Sequence, residues 1–95
     1  MAQSGNSAEA LTRRHPVLET LRAGRRTIHR LHVERGGRAD DREVQAILAA
    51  SRAAKVQVIT DDRQALDRLA QRAGADTKHQ GVLLEVGPYP YADVD

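Results

Sequence analysis

Gly81-Val82-Leu83-Leu84-Glu85-Val86 puts three aliphatic residues in a row behind a glycine. A strand that is apolar on both faces belongs inside a sheet covered by helices, so this segment is the candidate central strand. Upstream, Ala75 to Gln80 reads as a loop, and before it Leu66, Leu69 and Ala70 line one side of a helix capped by Thr60 or Asp61 and ended by Gly74. Val56-Gln57-Val58-Ile59 is short and β-branched, which predicts a strand. Asp40 with Glu43 resembles a capping box, and Val44, Ile47 and Leu48 give the apolar stripe of a helix from about Asp41 to Ala53. From Ile28 to Glu34, Leu31 and Val33 alternate with Arg30 and His32, the period of a half-buried strand. A short helix is expected to open at Pro16, with His15 near its cap, Val17, Leu18 and Leu21 on one face, and Gly24 at its end. Helix and strand alternate three times, which predicts an α/β fold: a three-layer α/β/α sandwich around a small mixed sheet of three to four strands.

The flanks differ in character. Residues 1–11, mostly small and polar, are expected to be a disordered lead-in. Gly87-Pro88-Tyr89-Pro90 cannot continue a helix or a central strand, so residues 88–95 read as an exit linker toward a following, absent domain. The domain proper is then 12–87, one modest core within 95 residues. Its aromatic content is limited to Tyr89 and Tyr91, so the core must be aliphatic. There is no cysteine, and hence no disulfide framework or thiolate metal site. No apolar run approaches the ~20 residues of a membrane helix, and Met1 to Glu9 lacks the apolar stretch of a secretion signal. The cytoplasm is the expected compartment.

Net charge is only +2, but residues 11–35 hold seven arginines against Glu19 and Glu34, a local excess of +5, whereas residues 81–95 hold three acids and no base. The first region attracts polyanions and the tail repels them. Arginine suits bidentate phosphate contacts, though a GC-rich genome gives the same bias. Phosphate-cradling glycine loops, nucleophile elbows and paired-histidine helices are missing from the sequence. His29-x-x-His32 has the look of a metal pair, but residues three apart on a strand point to opposite faces, which favours two exposed or partly packed histidines. Asp61-Asp62 could ligate a cation, with helix capping the simpler alternative. Arg35-Gly36-Gly37 is a single RGG unit at a strand end, where a turn is expected. Arg25 and Arg26 follow Gly24, where cations also stabilise a helix C-terminus.

Arg14-His15-Pro16-Val17-Leu18-Glu19-Thr20-Leu21 near the start and His79-Gln80-Gly81-Val82 near the end, at their separation, resemble the amino-terminal substrate-binding domain of SpoU-type (TrmH-like) RNA ribose 2′-O-methyltransferases. The likeness spans about Thr12 to Tyr91. Arg14 stands where that family is expected to carry a glycine. The resemblance implies a fold similar to ribosomal-protein-like kink-turn RNA binders, and a function of recognising structured RNA, ribosomal rather than transfer, and presenting it to a catalytic domain. It implies that S-adenosylmethionine binds only in that separate domain, so that this chain holds no cofactor and catalyses nothing by itself, and that the piece alone is a monomer. The RNA-binding residues expected are Arg13, Arg14, His15, Arg25, Arg26, Lys78, His79 and Gln80. For the helix start the expected chemistry is free backbone N–H groups and cations on phosphates, and for the loop a base read by Lys78, His79 and Gln80. Gln80 and Gly81 could equally serve only to shape the loop. Two alternatives stay open: a protein interaction or dimerisation module without RNA binding, and a free-standing ribosomal-type kink-turn binder.

Overall fold

The structure, a computed structural model, describes residues 9–36 and 41–87. Within them the chain runs β1 (Glu9–Thr12), α1 (Arg14–Ala23), β2 (Ile28–Glu34), α2 (Arg42–Ala53), β3 (Gln57–Asp61), α3 (Arg63–Ala73) and β4 (Val82–Val86). The sheet order is β1-β4-β2-β3. β4 is antiparallel to both neighbours, while β2 and β3 are parallel, with α2 making the crossover between them.

The aliphatic run of β4 explains its interior place. Val82, Leu84 and Val86 point to one face, where they pack with Val17 and Leu21 of α1, Leu31 of β2 and Ile47 of α2. Leu83 points the other way and packs with Leu66 and Ala70 of α3. Two helices therefore cover one face and one helix the other, the three-layer α/β/α arrangement expected from the alternation. Each fully buried Leu or Val in these clusters contributes ~1.5–3 kcal/mol of apolar transfer. Gly24 and Gly74 end α1 and α3 in the left-handed conformation, which lets each backbone N–H close onto a carbonyl of the last turn.

Several local expectations need correction. Residues 9–11 are not lead-in: Glu9–Thr12 pairs along β4, with Leu11 opposite Leu84 and Thr12 opposite Leu83. Four residues beginning Glu-Ala carry too little pattern to announce a strand, and the sheet partner supplies the stability. Helix α1 starts at Arg14, so Pro16 is its third residue rather than its first; the position tolerates proline because no intrahelical bond claims its N–H. The helix is also longer than expected, at 10 residues. The cap of α2 is Asp41, whose carboxylate accepts from the N–H groups of Glu43 and Val44; Asp40 lies outside the described residues. β3 lies one to two residues later than the sequence suggests, and α3 is capped by Asp62, whose carboxylate accepts from Ala65 N–H at 2.8 Å.

Asp61 faces a different partner. His32 is buried, more deeply than the exposed or partly packed position expected, and its ring sits between two carboxylates: Nδ1 lies 2.5 Å from Asp61 Oδ2, and Nε2 faces Glu85 Oε2. Arg30 extends the set, with its Nε 3.5 Å from Glu85 Oε1. The strand alternation holds, but α3 packs its apolar side over Leu83 and Ala10, leaving the histidine to close the adjoining polar strip of sheet. His29 stays exposed, beside a register shift between Ile28 and Arg30. Among the described residues no group of three or more His, Asp or Glu side chains is arranged to hold a metal ion.

Candidate nucleic-acid interface

The start of α1 and the segment entering β4 meet. Arg13 N–H donates to the His79 carbonyl at 3.1 Å, Arg14 N–H to Gln80 Oε1 at 2.9 Å, and Arg14 Nε to the Gln80 carbonyl at 3.1 Å. Thr12 Oγ1 adds a bond to the Asp76 carbonyl at 2.8 Å. Arg13, Arg14, His15 and Gln80 line one surface recess together, and Lys78 lines the adjoining cleft.

Five of the eight candidate residues therefore share one edge, but their roles differ from those expected. Gln80 caps α1 from across the molecule, where Arg13 at the N-cap position offers no side-chain acceptor. With Arg14 N–H so occupied and Pro16 lacking one, the helix start has few donors left for a phosphate; the amide of His15 is the exception. Cationic side chains must carry the anion contacts instead. Arg13 is exposed and only loosely paired, 3.6 Å from Asp76. Arg14 is held more firmly, 2.7 Å from Asp41 and 3.0 Å from Glu43; the hydrogen bond it donates to Glu43 and the two negative charges outweigh burial and raise its pKa. His15 is exposed and 3.1 Å from Glu19 one turn on. Lys78 is exposed, and its side chain makes no hydrogen bond or ion pair among the described residues.

His79 is a positioning residue of the loop rather than part of its surface. It is 4 % exposed, its Nδ1 accepts from Gly81 N–H at 2.9 Å, and its Nε2 faces Asp67 Oδ1 of α3 at 2.8 Å. The ring therefore carries its proton on Nε2 and fixes the turn that gives Gln80 a φ of 58°. Arg25 and Arg26 leave the site altogether. They lie beyond the far end of α1, ~15 Å along the helix axis, and Arg26 reaches Glu9 Oε1 at 2.5 Å and the Gly87 carbonyl at 2.8 Å. Clustered in sequence, the basic residues are divided by the fold between two ends of the sheet.

Arg14, standing where the family is expected to carry a glycine, is the first residue of the helix, and the positive φ falls one residue earlier, at Arg13, with φ 77° and ψ 144°. A side chain in that region costs ~1–3 kcal/mol.

Beside this edge, at the carboxyl ends of β2 and β3, a cleft of about 520 Å³ opens between the starts of α1, α2 and α3 and the loop before β4. Val33, Glu34, Glu43, Val44, Arg63 and Thr77 line it with Arg14 and Lys78. No sequence motif marks Glu34 or Arg63 as site residues. The available signal was topological, since crevices in α/β sheets open beyond the carboxyl ends of parallel strands.

Asp41 ties the edge to α2. Burial raises its pKa, but the N–H of Val44, the charge of Arg14, the N–H of Glu43 and the Arg14 hydrogen bond together hold it below the ordinary carboxylate range. A lowered folded value means the cap stabilises fully above the ordinary range and is lost as pH falls through the lowered one. Acid titration should therefore shift the amide resonances of Glu43 and Val44 together by NMR, with a midpoint below the ordinary carboxylate range. In Asp41→Asn those amides should no longer report that titration.

The fold and the site define a small α/β domain whose basic edge joins a helix start to a loop. Residues 14–92 match the family described as RNA 2′-O ribose methyltransferase substrate binding, and the chain belongs to that family. Relatives agree. The chain is 37% identical over 91 residues to an uncharacterized tRNA/rRNA methyltransferase of Mycolicibacterium gilvum, and 36% identical over 90 residues to one of Mycobacterium tuberculosis, with 95% of this chain covered in each case. It spans 27% and 26% of those relatives' lengths, about a quarter.

Proposed function

We propose that this domain grips structured RNA along the edge formed by Arg13, Arg14, His15, Lys78 and Gln80, and presents it to a linked catalytic domain that binds S-adenosylmethionine. The target is ribosomal RNA rather than transfer RNA, and the compartment is the cytoplasm. The observation that carries this reading is the meeting of the two motif segments: Arg14 bonds both the side chain and the carbonyl of Gln80. Family membership makes RNA the substrate class to test, and the relatives' name covers both tRNA and rRNA. A protein docking module is disfavoured, because the edge is built from exposed cations and amides rather than an apolar patch.

Salt dependence of RNA binding tests the proposal. Arg13→Gly with Lys78→Ala removes two cations and should flatten the slope of log K against log salt by ~0.7–0.9 for each phosphate no longer neutralised. Arg13→Gly alone should leave thermal stability unchanged or raise it by ~1 kcal/mol, because glycine relieves the positive φ. Arg25→Ala, at the opposite end, should leave the slope as it is. Equal slopes for wild type and the double variant would reject the proposed edge.

A further inference from the structure

The cleft beside the edge holds a group the RNA-binding reading has not used. Glu34, the last residue of β2, is half-buried, and its carboxylate makes no hydrogen bond or ion pair among the described residues. Gly81 leaves it room: a Cβ there would stand 3.4 Å from Glu34 Oε1. Val33 and Val44 give the cleft apolar wall, and the cations Arg63 and Lys78 line it without a carboxylate partner of their own among the described residues. The other acid of the cleft, Glu43, is already engaged by Arg14.

We infer that this cleft receives one unpaired guanine base, with the Glu34 carboxylate accepting from its Watson–Crick edge. A carboxylate can only accept, and it offers two oxygens side by side. Guanine presents two adjacent donors, N1–H and the N2 amino group, with the O6 acceptor beside them for a cation such as Arg63 or Lys78. Adenine sets a single donor beside an acceptor. Uracil sets one donor between two acceptors, which a carboxylate repels, and cytosine offers one donor next to an acceptor. Unpaired bases of loops and bulges are the parts of RNA whose edges are open to such contacts. The volume of about 520 Å³ admits a base and its sugar, with the valines against the ring. An arginine of a protein partner would also satisfy Glu34, but Arg14, Arg63 and Lys78 around it oppose a fourth cation and favour a ligand that brings phosphate.

This inference rests on the RNA-binding reading, and the test separates the two. Fluorescein-labelled single-stranded RNAs, one of uridine only and three with a single central guanine, inosine or adenine, are titrated by anisotropy against the whole chain and against Glu34→Gln. Wild type should bind the guanine RNA about tenfold more tightly than the adenine RNA, with inosine, which lacks the N2 donor, in between. Glu34→Gln should bring guanine and adenine within about twofold of each other while binding the uridine RNA at least as well as wild type, which also shows that it is folded. Equal wild-type affinities for guanine and adenine, or a preference that survives in Glu34→Gln, would overturn the inference and leave RNA binding standing. Binding to none of these RNAs, nor to a structured RNA at low salt, would remove the RNA reading and the inference together.

Discussion

Leucine in place of His32 is expected to lower the unfolding free energy by about 3 kcal/mol, seen as an earlier urea midpoint at unchanged slope. The ring is 7% exposed and lies between Asp61 and Glu85, whose side chains are 25% and 21% exposed. Both ring nitrogens face carboxylate oxygens, and only a doubly protonated ring donates at both. Leucine fills the volume but leaves two acids side by side with no donor between them, a loss that apolar packing does not offset. The effect should depend on the acids: adding Asp61→Asn and Glu85→Gln to His32→Leu should recover much of the deficit, so the energies of the three substitutions should not sum. A loss of under about 0.5 kcal/mol for His32→Leu alone would show that the cluster contributes no net stability.

His79→Ala is expected to cost about 2–3 kcal/mol and to weaken RNA binding without changing its salt slope. The alanine leaves Gly81 N–H without its acceptor and Asp67 without its donor, and it opens space beneath the turn that aims Gln80 at α1. No cation is removed from the edge, so the number of counterions released should stay that of wild type. A flatter salt slope with unchanged stability would instead make His79 a contact residue. The two readouts distinguish a residue that touches the polynucleotide from one that holds the loop in place.

Much of the fold was legible because its signals are local. Val82-Leu83-Leu84 announced an interior strand, Gly24 and Gly74 marked helix ends, and the stripes of α2 and α3 gave the faces that pack. What escaped depends on partners distant in sequence. β1 exists because β4 lies beside it, more than seventy residues on. The burial of His32 follows from Asp61 and Glu85, 29 and 53 positions away. The same holds at the site, where the two motifs gave the edge but not the work of each residue. His79 is claimed by Asp67 and Gly81, Arg26 by Glu9 and Gly87, and Gln80 by the start of α1, none of which spacing along the chain reveals. Glu34 was legible only as the acid that closes a strand pattern.

The family match begins at residue 14, yet the sheet begins at Glu9. A fragment trimmed to the matched boundary would strip the outer ribbon from Val82–Val86 and bare a row of amides and carbonyls on the most aliphatic strand of the molecule. Such a margin recruits other chains, so the shortened piece should precipitate or self-associate where the longer one stays dispersed. Boundaries for expression belong upstream of Glu9.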